Sequence, residues 1–328
     1  MNMAEQTAIL RLENLKTYFY ISDGLFSKKK VVKAVDGVSL EVQKGETLGL
    51  VGESGCGKST LGRTVVKLYE PTDGKIFFEG RETTHLKGAE LKQFHKDVQM
   101  IFQDPYASLD PRMTIGEIIK EPMAIHEMYG SDAQREARAV ELLDIVGLKP
   151  DHIRRYPHEF SGGQRQRISI ARTLALNPKF IICDEPISAL DVSIQAQIIN
   201  LLKKIQEDTG ISYLFVAHDL SMVKHISNRI AVMYLGHIME IGDSHDIYMN
   251  PLHPYSVALL SAVPIPDPVE GKRKTRIPLQ GEIPSPVNPP AGCPFSTRCP
   301  HASDLCRSQM PPLEEKKGRR IACFHVQA

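Results

Sequence analysis

No stretch of this sequence approaches the roughly 18 uninterrupted apolar residues of a membrane-spanning helix. The longest apolar runs, Ile211–Ala217 and Ile230–Leu235, have only the length of strands. The N-terminus, MNMAEQTAILRLENL, lacks the basic start and apolar core of a signal peptide. Residence in the cytosol is therefore expected, with any work at a membrane done by docking onto another protein. An excess of one charge is also missing, since 40 basic residues against 39 acidic ones leave a formal charge of +1. That balance argues against a nucleic-acid binder driven by bulk charge. Repeats at solenoid or propeller periods and coiled-coil heptads are absent as well.

What the chain does have is an ordinary globular composition, 42% hydrophobic and 24% charged, sufficient for a core of normal size. From about Ile9 to Ala262, short β-branched runs alternate with helical stretches, the pattern of an α/β fold. Strands are expected at Thr47–Val51, Val98–Phe102, Phe180–Cys183 and Ser212–Ala217, most of them apolar enough to be covered on both faces. Between Pro111 and Arg172 the character turns helical. Ser131–Val146 opens with a Ser/Asp cap and carries apolar residues at helical spacing. A helical subdomain at about 104–176, inserted into an α/β domain of residues 1–262, is the expected organisation. After Ala262 the chain becomes proline-dense and loses periodicity, which predicts a linker or wrapping segment within an extension of residues 263–328.

Three motifs carry chemistry. Gly52-Glu53-Ser54-Gly55-Cys56-Gly57-Lys58-Ser59-Thr60 fits G-x-x-x-x-G-K-[ST] and sits between an apolar strand and a helix. Backbone N–H groups of such a loop converge on phosphates, and the helix N-terminus adds partial positive charge. Lys58 would pair with the β- and γ-phosphates and Ser59 would ligate Mg²⁺. At the end of the run Phe180–Cys183, Asp184 would reach the metal, and Glu185 is placed to polarise a water. Ser161-Gly162-Gly163-Gln164 opens a helix just upstream and offers free N–H groups to an anion. Cys56 lies inside the phosphate loop, where alkylation would block the site by bulk, and Cys183 is expected to be buried in its strand. The short basic clusters Lys28-Lys29-Lys30 and Lys272-Arg273-Lys274 read as solvated loop faces.

The Ser161–Gln164 segment resembles the signature sequence of ABC ATPases, and other elements of that family follow in order. Gln103 is similar to the Q-loop glutamine, Ser188-Ala189-Leu190-Asp191 to the D-loop, and His218 to the switch histidine. Phe19 or Tyr18 takes the place of the aromatic that stacks on adenine. The resemblance covers about residues 9 to 262. It implies a P-loop NTPase fold, an ABC nucleotide-binding domain whose catalytic residues are Glu185, His218 and Gln103. Nucleotide contacts are implied for Gly52, Ser54, Gly55, Cys56, Gly57, Lys58, Ser59 and Thr60, for Phe19 and Asp184, and for Asp191. Mg²⁺ ligation is implied for Ser59, Gln103 and Asp184. Two such domains would meet head to tail, each ATP lying between one domain's Lys58 loop and the other's Ser161, Gly162, Gly163 and Gln164.

Three further stretches resemble the oligopeptide/dipeptide, or peptide/nickel, importer ATPases. They are the extended Q-loop Gln103–Arg112, the segment His253-Pro254-Tyr255-Ser256 with its following helix, and Gly281–Cys293. Membership of that subfamily implies a second, similar ATPase subunit, two membrane permeases and an external binding protein, at the inner face of a bacterial plasma membrane. It also implies a 4Fe–4S cluster on Cys293, Cys299, Cys306 and Cys323. Four thiolates equally suit structural zinc, and free thiols remain a third reading. A soluble ABC ATPase of DNA repair or translation is the alternative function. Nickel or another solute is an alternative cargo.

Overall fold

Two long strands, β1 (Ala8–Ile21) and β2 (Lys30–Gln43), pair antiparallel and begin the architecture. Their burial alternates. Leu10, Leu12, Leu15 and Thr17 point inward from β1, as do Val35, Val38, Leu40 and Val42 from β2. With β4 (Asp73–Phe78) and β5 (Arg81–Glu82) they form a four-stranded sheet of order β2-β1-β4-β5. The computed structural model describes residues 8–22, 30–262 and 281–327. The clusters Lys28–Lys30 and Lys272–Lys274 thus fall outside the described residues, except for Lys30, which opens β2. So does the proline-dense stretch 263–280.

The chain divides into two compact units, one of Met1–Thr84 with Phe215–Ala328 and one of His85–Leu214. In the first, β3 (Thr47–Val51) runs parallel to β9 (Arg229–Tyr234), pairing Leu48 with Arg229 through Val51 with Val232. All five residues of β3 are buried, as the continuous apolar run requires. Strand β9 turns back into β10 (His237–Asp243) through Leu235 and Gly236, both at positive φ, 43° and 79°. That turn geometry matches the twist of the flanking strands. Helix α1 (Lys58–Val65) follows β3.

The C-terminal extension adds to the same unit. Strand β12 (Arg319–Ile321) pairs with β10 and with β11 (Glu314–Lys316), giving the order β11-β12-β10-β9-β3. Arg319 anchors it through an ion pair with Glu240 at 3.2 Å, the two side chains 8% and 0% exposed. Glu240 also accepts the backbone N–H groups of Leu252 and His253, so this buried charge is paired and hydrogen-bonded. Helices α7 (Leu220–Ile226), α8 (Ser244–Met249), α9 (Pro254–Ser261) and α10 (Asp304–Ser308) also belong to this unit.

In the second unit, β6 (Val98–Ile101) and β7 (Phe180–Asp184) are parallel and follow α2 (Gly88–Asp97) and α5 (Gly162–Leu174) respectively. Helices α3 (Ile115–Ile125) and α4 (Asp132–Ile145) lie between them in sequence, and α6 (Val192–Thr209) comes after β7. Helices α3, α4 and α5 each start with a reciprocal capping box, Thr114 with Glu117, Ser131 with Gln134 and Ser161 with Gln164. In each, side chains satisfy orphan N–H groups of the first turn. Helix α6 stops at Gly210, in the left-handed conformation at φ 73°. Strand β8 (Ser212–Ala217), buried throughout, starts in this unit and ends in the first.

Candidate functional site

The loop from Gly52 to Gly57 connects β3 to α1, and its shape depends on two glycines. A Cβ on Gly52 would lie 2.1 Å from the Met233 carbonyl oxygen, and one on Gly57 2.0 Å from that of Ala34. Gly57, the residue before α1, also has φ 106°. No side chain fits either position. Lys58, 4% exposed, turns its ammonium back over the loop and donates to the carbonyls of Gly52 at 2.8 Å and Glu53 at 3.0 Å. Cys56 is buried beside it, and burial pushes its thiol pKa up, with partial relief from the Lys58 charge. Ser59 and Thr60 are half-buried in the first turn of α1, and Ser54 and Gly55 are exposed. The arrangement is a backbone-lined anion cradle at a helix N-terminus.

Also in this unit, Phe19 meets Tyr69 edge-on at 5.2 Å, while the Tyr18 hydroxyl donates to Asp36 at 2.5 Å. Burial and that carboxylate raise the Tyr18 pKa. His218 is exposed just past the end of β8, and Asp219 after it caps α7 by accepting from the Ser221 N–H.

The second unit brings Gln103 and Glu185 together. The Gln103 Nε2 donates to Glu185 Oε2 at 2.8 Å across 82 residues of sequence. Asp184, fully buried, ends β7, and Glu185 after it sits at φ 46°. A left-handed backbone on a non-glycine residue is uncommon and concentrates at functional positions. Ser161 caps α5 and is exposed at its start. A Cβ on Gly163 would lie 2.6 Å from Cγ2 of Ile194 in α6. Asp191 is exposed at the start of α6. The stretch after Gln103 is held by α5, since the Arg165 guanidinium stacks 3.9 Å over the Tyr106 ring and Arg172 donates to the Ser108 carbonyl.

The cysteine tail is packed. Cys293, Cys306 and Cys323 are 7%, 6% and 7% exposed, and Cys299 is half-buried. The Cys293 N–H donates to the Cys306 carbonyl at 2.7 Å, and the Cys306 thiol lies 3.3 Å from His325 Nε2. Cys299 and Cys323 line one half-open cavity of about 700 Å³ with Phe295, Arg298 and His301. Burial first, then the neighbouring thiols, push Cys293 up to about 11. Among the described residues, no three His, Cys, Asp or Glu side chains are grouped so as to hold a metal ion.

Sequence reading gave Glu53, Tyr255 and Arg298 no individual role. The Glu53 N–H donates to the Tyr255 hydroxyl at 2.8 Å, and its carboxylate pairs with Arg298 at 2.6 Å. The available signal was a carboxylate in a phosphate loop, which needs a cation. Nothing local selected Arg298 among 40 basic residues.

Residues 35–188 match the ABC transporter family, and residues 239–306 match the oligopeptide/dipeptide transporter C-terminal region. The chain is 55% identical over 328 residues to the oligopeptide transport ATP-binding protein AppF of Bacillus subtilis (strain 168), covering 99% of each. It is 54% identical over 321 residues to the oligopeptide transport ATP-binding protein OppF of Escherichia coli (strain K12), covering 97% of this chain and 96% of that one. Among solved structures, the ATP-binding cassette MJ0796 in a post-hydrolysis state bound to ADP and Pi aligns with a TM-score of 0.63. Its sequence is 30% identical, and the match covers 72% of this chain and 98% of that one. The phosphate loop, the signature helix and the C-terminal extension thus fall inside one pattern of similarity that runs nearly end to end. The chain belongs to the ABC transporter family, among its oligopeptide/dipeptide transport ATP-binding proteins.

Proposed function

We propose that this chain is the ATP-hydrolysing subunit of an importer that takes up di- and oligopeptides, working at the cytoplasmic face of a bacterial plasma membrane. The observation that carries the reading is the glycine-shaped loop at the start of α1, with the buried Lys58 ammonium turned over it. Lys58 neutralises the β- and γ-phosphates of ATP, and the loop amides hold them. Ser59, Asp184 and Gln103 are the residues that would hold Mg²⁺, which would neutralise charge on the phosphates. Glu185 accepts a proton from the attacking water, and Gln103 fixes the direction of its carboxylate. His218 contacts the γ-phosphate, and Phe19 or Tyr18 faces the adenine. Ser161, Gly162, Gly163 and Gln164 present the N-terminus of α5 to the nucleotide of a second subunit, with Asp191 at the same interface. Nucleotide shared by two subunits favours a closed pair, and its hydrolysis releases them, a shift between two states.

The partners on this reading are a second homologous ATPase, two membrane permeases and an external binding protein. Among the described residues no helix is long and apolar enough to cross a membrane, which fits docking onto permeases. The segment Asp104–Arg112, held by Arg165 and Arg172, is the surface proposed to meet them. For the tail, soft thiolate donors suit a 4Fe–4S cluster or zinc. Among the described residues, no three of them are grouped so as to hold a metal ion. Iron, sulfide and zinc analysis of protein purified under argon distinguishes the cluster, zinc and free thiols.

The test of the transporter reading is an affinity pull-down of the tagged chain from detergent-solubilised native membranes, followed by mass spectrometry. Two permeases and a second ATPase are expected. Recovery of ribosomes or DNA-repair factors in their place would overturn the reading.

A further inference from the structure

Glu53, the second residue of the phosphate loop, is gripped by the C-terminal tail. Arg298 Nη1 donates to Glu53 Oε2 at 2.6 Å and Nη2 to Oε1 at 3.1 Å, a two-pronged ion pair 245 residues apart in sequence. The Arg298 side chain is 5% exposed, and Nη1 also reaches the Tyr234 hydroxyl at 3.3 Å. Three residues upstream, Phe295 is 1% exposed and packs against Tyr234 and Tyr255 with centroids 5.4 and 5.3 Å apart. The base of Arg298 is thereby fixed. Glu53 is tied at its backbone too, donating to Tyr255 Oη and accepting from Lys58 Nζ and the Cys56 N–H.

Two physical consequences follow. A loop with glycine at 52, 55 and 57 has more accessible backbone states than an ordinary one, so contacts must hold its shape. Lys58 holds the loop from inside, but its three donors are the groups a phosphate would engage. The Arg298–Glu53 contact is made by side chains alone, uses no such group and can persist when ligand binds. Secondly, Glu53 is a negative charge within an anion cradle. Left unpaired it would repel phosphate, and a paired, fork-shaped guanidinium cancels it.

We propose that Arg298 is a positioning residue for nucleotide binding, clamping and neutralising Glu53 so that the affinity of the phosphate loop depends on the docked C-terminal tail. The proposal rests on the reading of this loop as the ATP site. The contacts of Arg298 are with Glu53 and Tyr234, beside the phosphate loop, so its effect falls on binding and not on the chemical step.

The test is titration of the full chain with fluorescent MgATP, together with steady-state kinetics, for wild type, R298M, R298K, E53Q and the R298M/E53Q pair. R298M is expected to weaken MgATP about 10-fold and raise KM in parallel, with kcat within about twofold of wild type. R298K keeps the charge without the fork and falls between, about threefold weaker than wild type. The double variant binds MgATP more tightly than R298M does, because the unpaired carboxylate is removed with its partner. Unchanged affinity in R298M, or single effects that multiply in the double variant, overturns the proposal. Where R298M is too unstable to assay, R298K decides, since its affinity falls only if Arg298 positions the loop. Wild-type protein that binds no MgATP would contradict the ATP-site reading itself, a separate outcome.

Discussion

Gln103 and Glu185 are joined by a hydrogen bond of 2.8 Å from amide to carboxylate, and Glu185 holds a left-handed backbone at φ 46°. A strained backbone and a directed side chain together give the carboxylate one orientation. Gln103→Leu removes the donor while leaving the phosphate loop untouched. Turnover should fall about 10-fold beyond any loss of MgATP affinity, which also drops because one proposed Mg²⁺ ligand is removed, read by phosphate release beside a binding titration.

Gly57→Ala tests the cradle. Its Cβ would fall 2.0 Å from the Ala34 carbonyl at a backbone φ of 106°, so the loop must deform. Loss of MgATP affinity by about 100-fold or more is expected, with helical circular dichroism retained. Wild-type affinity in this variant would contradict the placement of the phosphates.

The tail is fastened by a buried charge pair, and Arg319→Met should expose its worth. Glu240 would keep its two backbone donors and lose its countercharge, for a cost of about 3–5 kcal/mol in urea unfolding. Adding Glu240→Gln should recover part of that loss, because the uncompensated charge goes.

His253 caps α9 with its Nδ1, which accepts the Tyr255 N–H at 3.0 Å, and burial holds its pKa down to about 3. The unfolded chain takes up this proton near pH 6.5, whereas the folded chain refuses it until about pH 3. The unfolded state thus binds more protons across that window, and folded stability falls as pH drops through it. His253→Asn keeps a cap acceptor and removes the titration. Urea unfolding at pH 7 and pH 5 should show a smaller loss on acidification for the variant than for wild type.

Local elements were largely legible in the sequence. Strands Thr47–Val51 and Ser212–Ala217 occur as expected, while β6 ends one residue early at Ile101 and β7 one residue late at Asp184. The expected helix Ser131–Val146 appears with those two residues as its caps, because a Ser-x-x-Gln box and apolar spacing are local signals. Less legible were β11 and β12, only three residues each and too short to show a period. Their place is set by pairing with β10 and by Arg319–Glu240, both remote in sequence. The site divides the same way. Glycines, Lys58 and the Asp184–Glu185 step follow from motif chemistry. The Gln103–Glu185 and Arg298–Glu53 contacts depend on which segments the fold brings together, and no local pattern encodes that.

The most direct test of the account is Glu185→Gln, assayed for MgATP affinity and phosphate release on the same preparation as wild type. Glutamine keeps the shape and loses the base. MgATP affinity within about threefold of wild type and turnover lower by roughly 100-fold or more are expected. Turnover near the wild-type rate, or a loss of binding equal to the loss of turnover, would contradict the role given to Glu185.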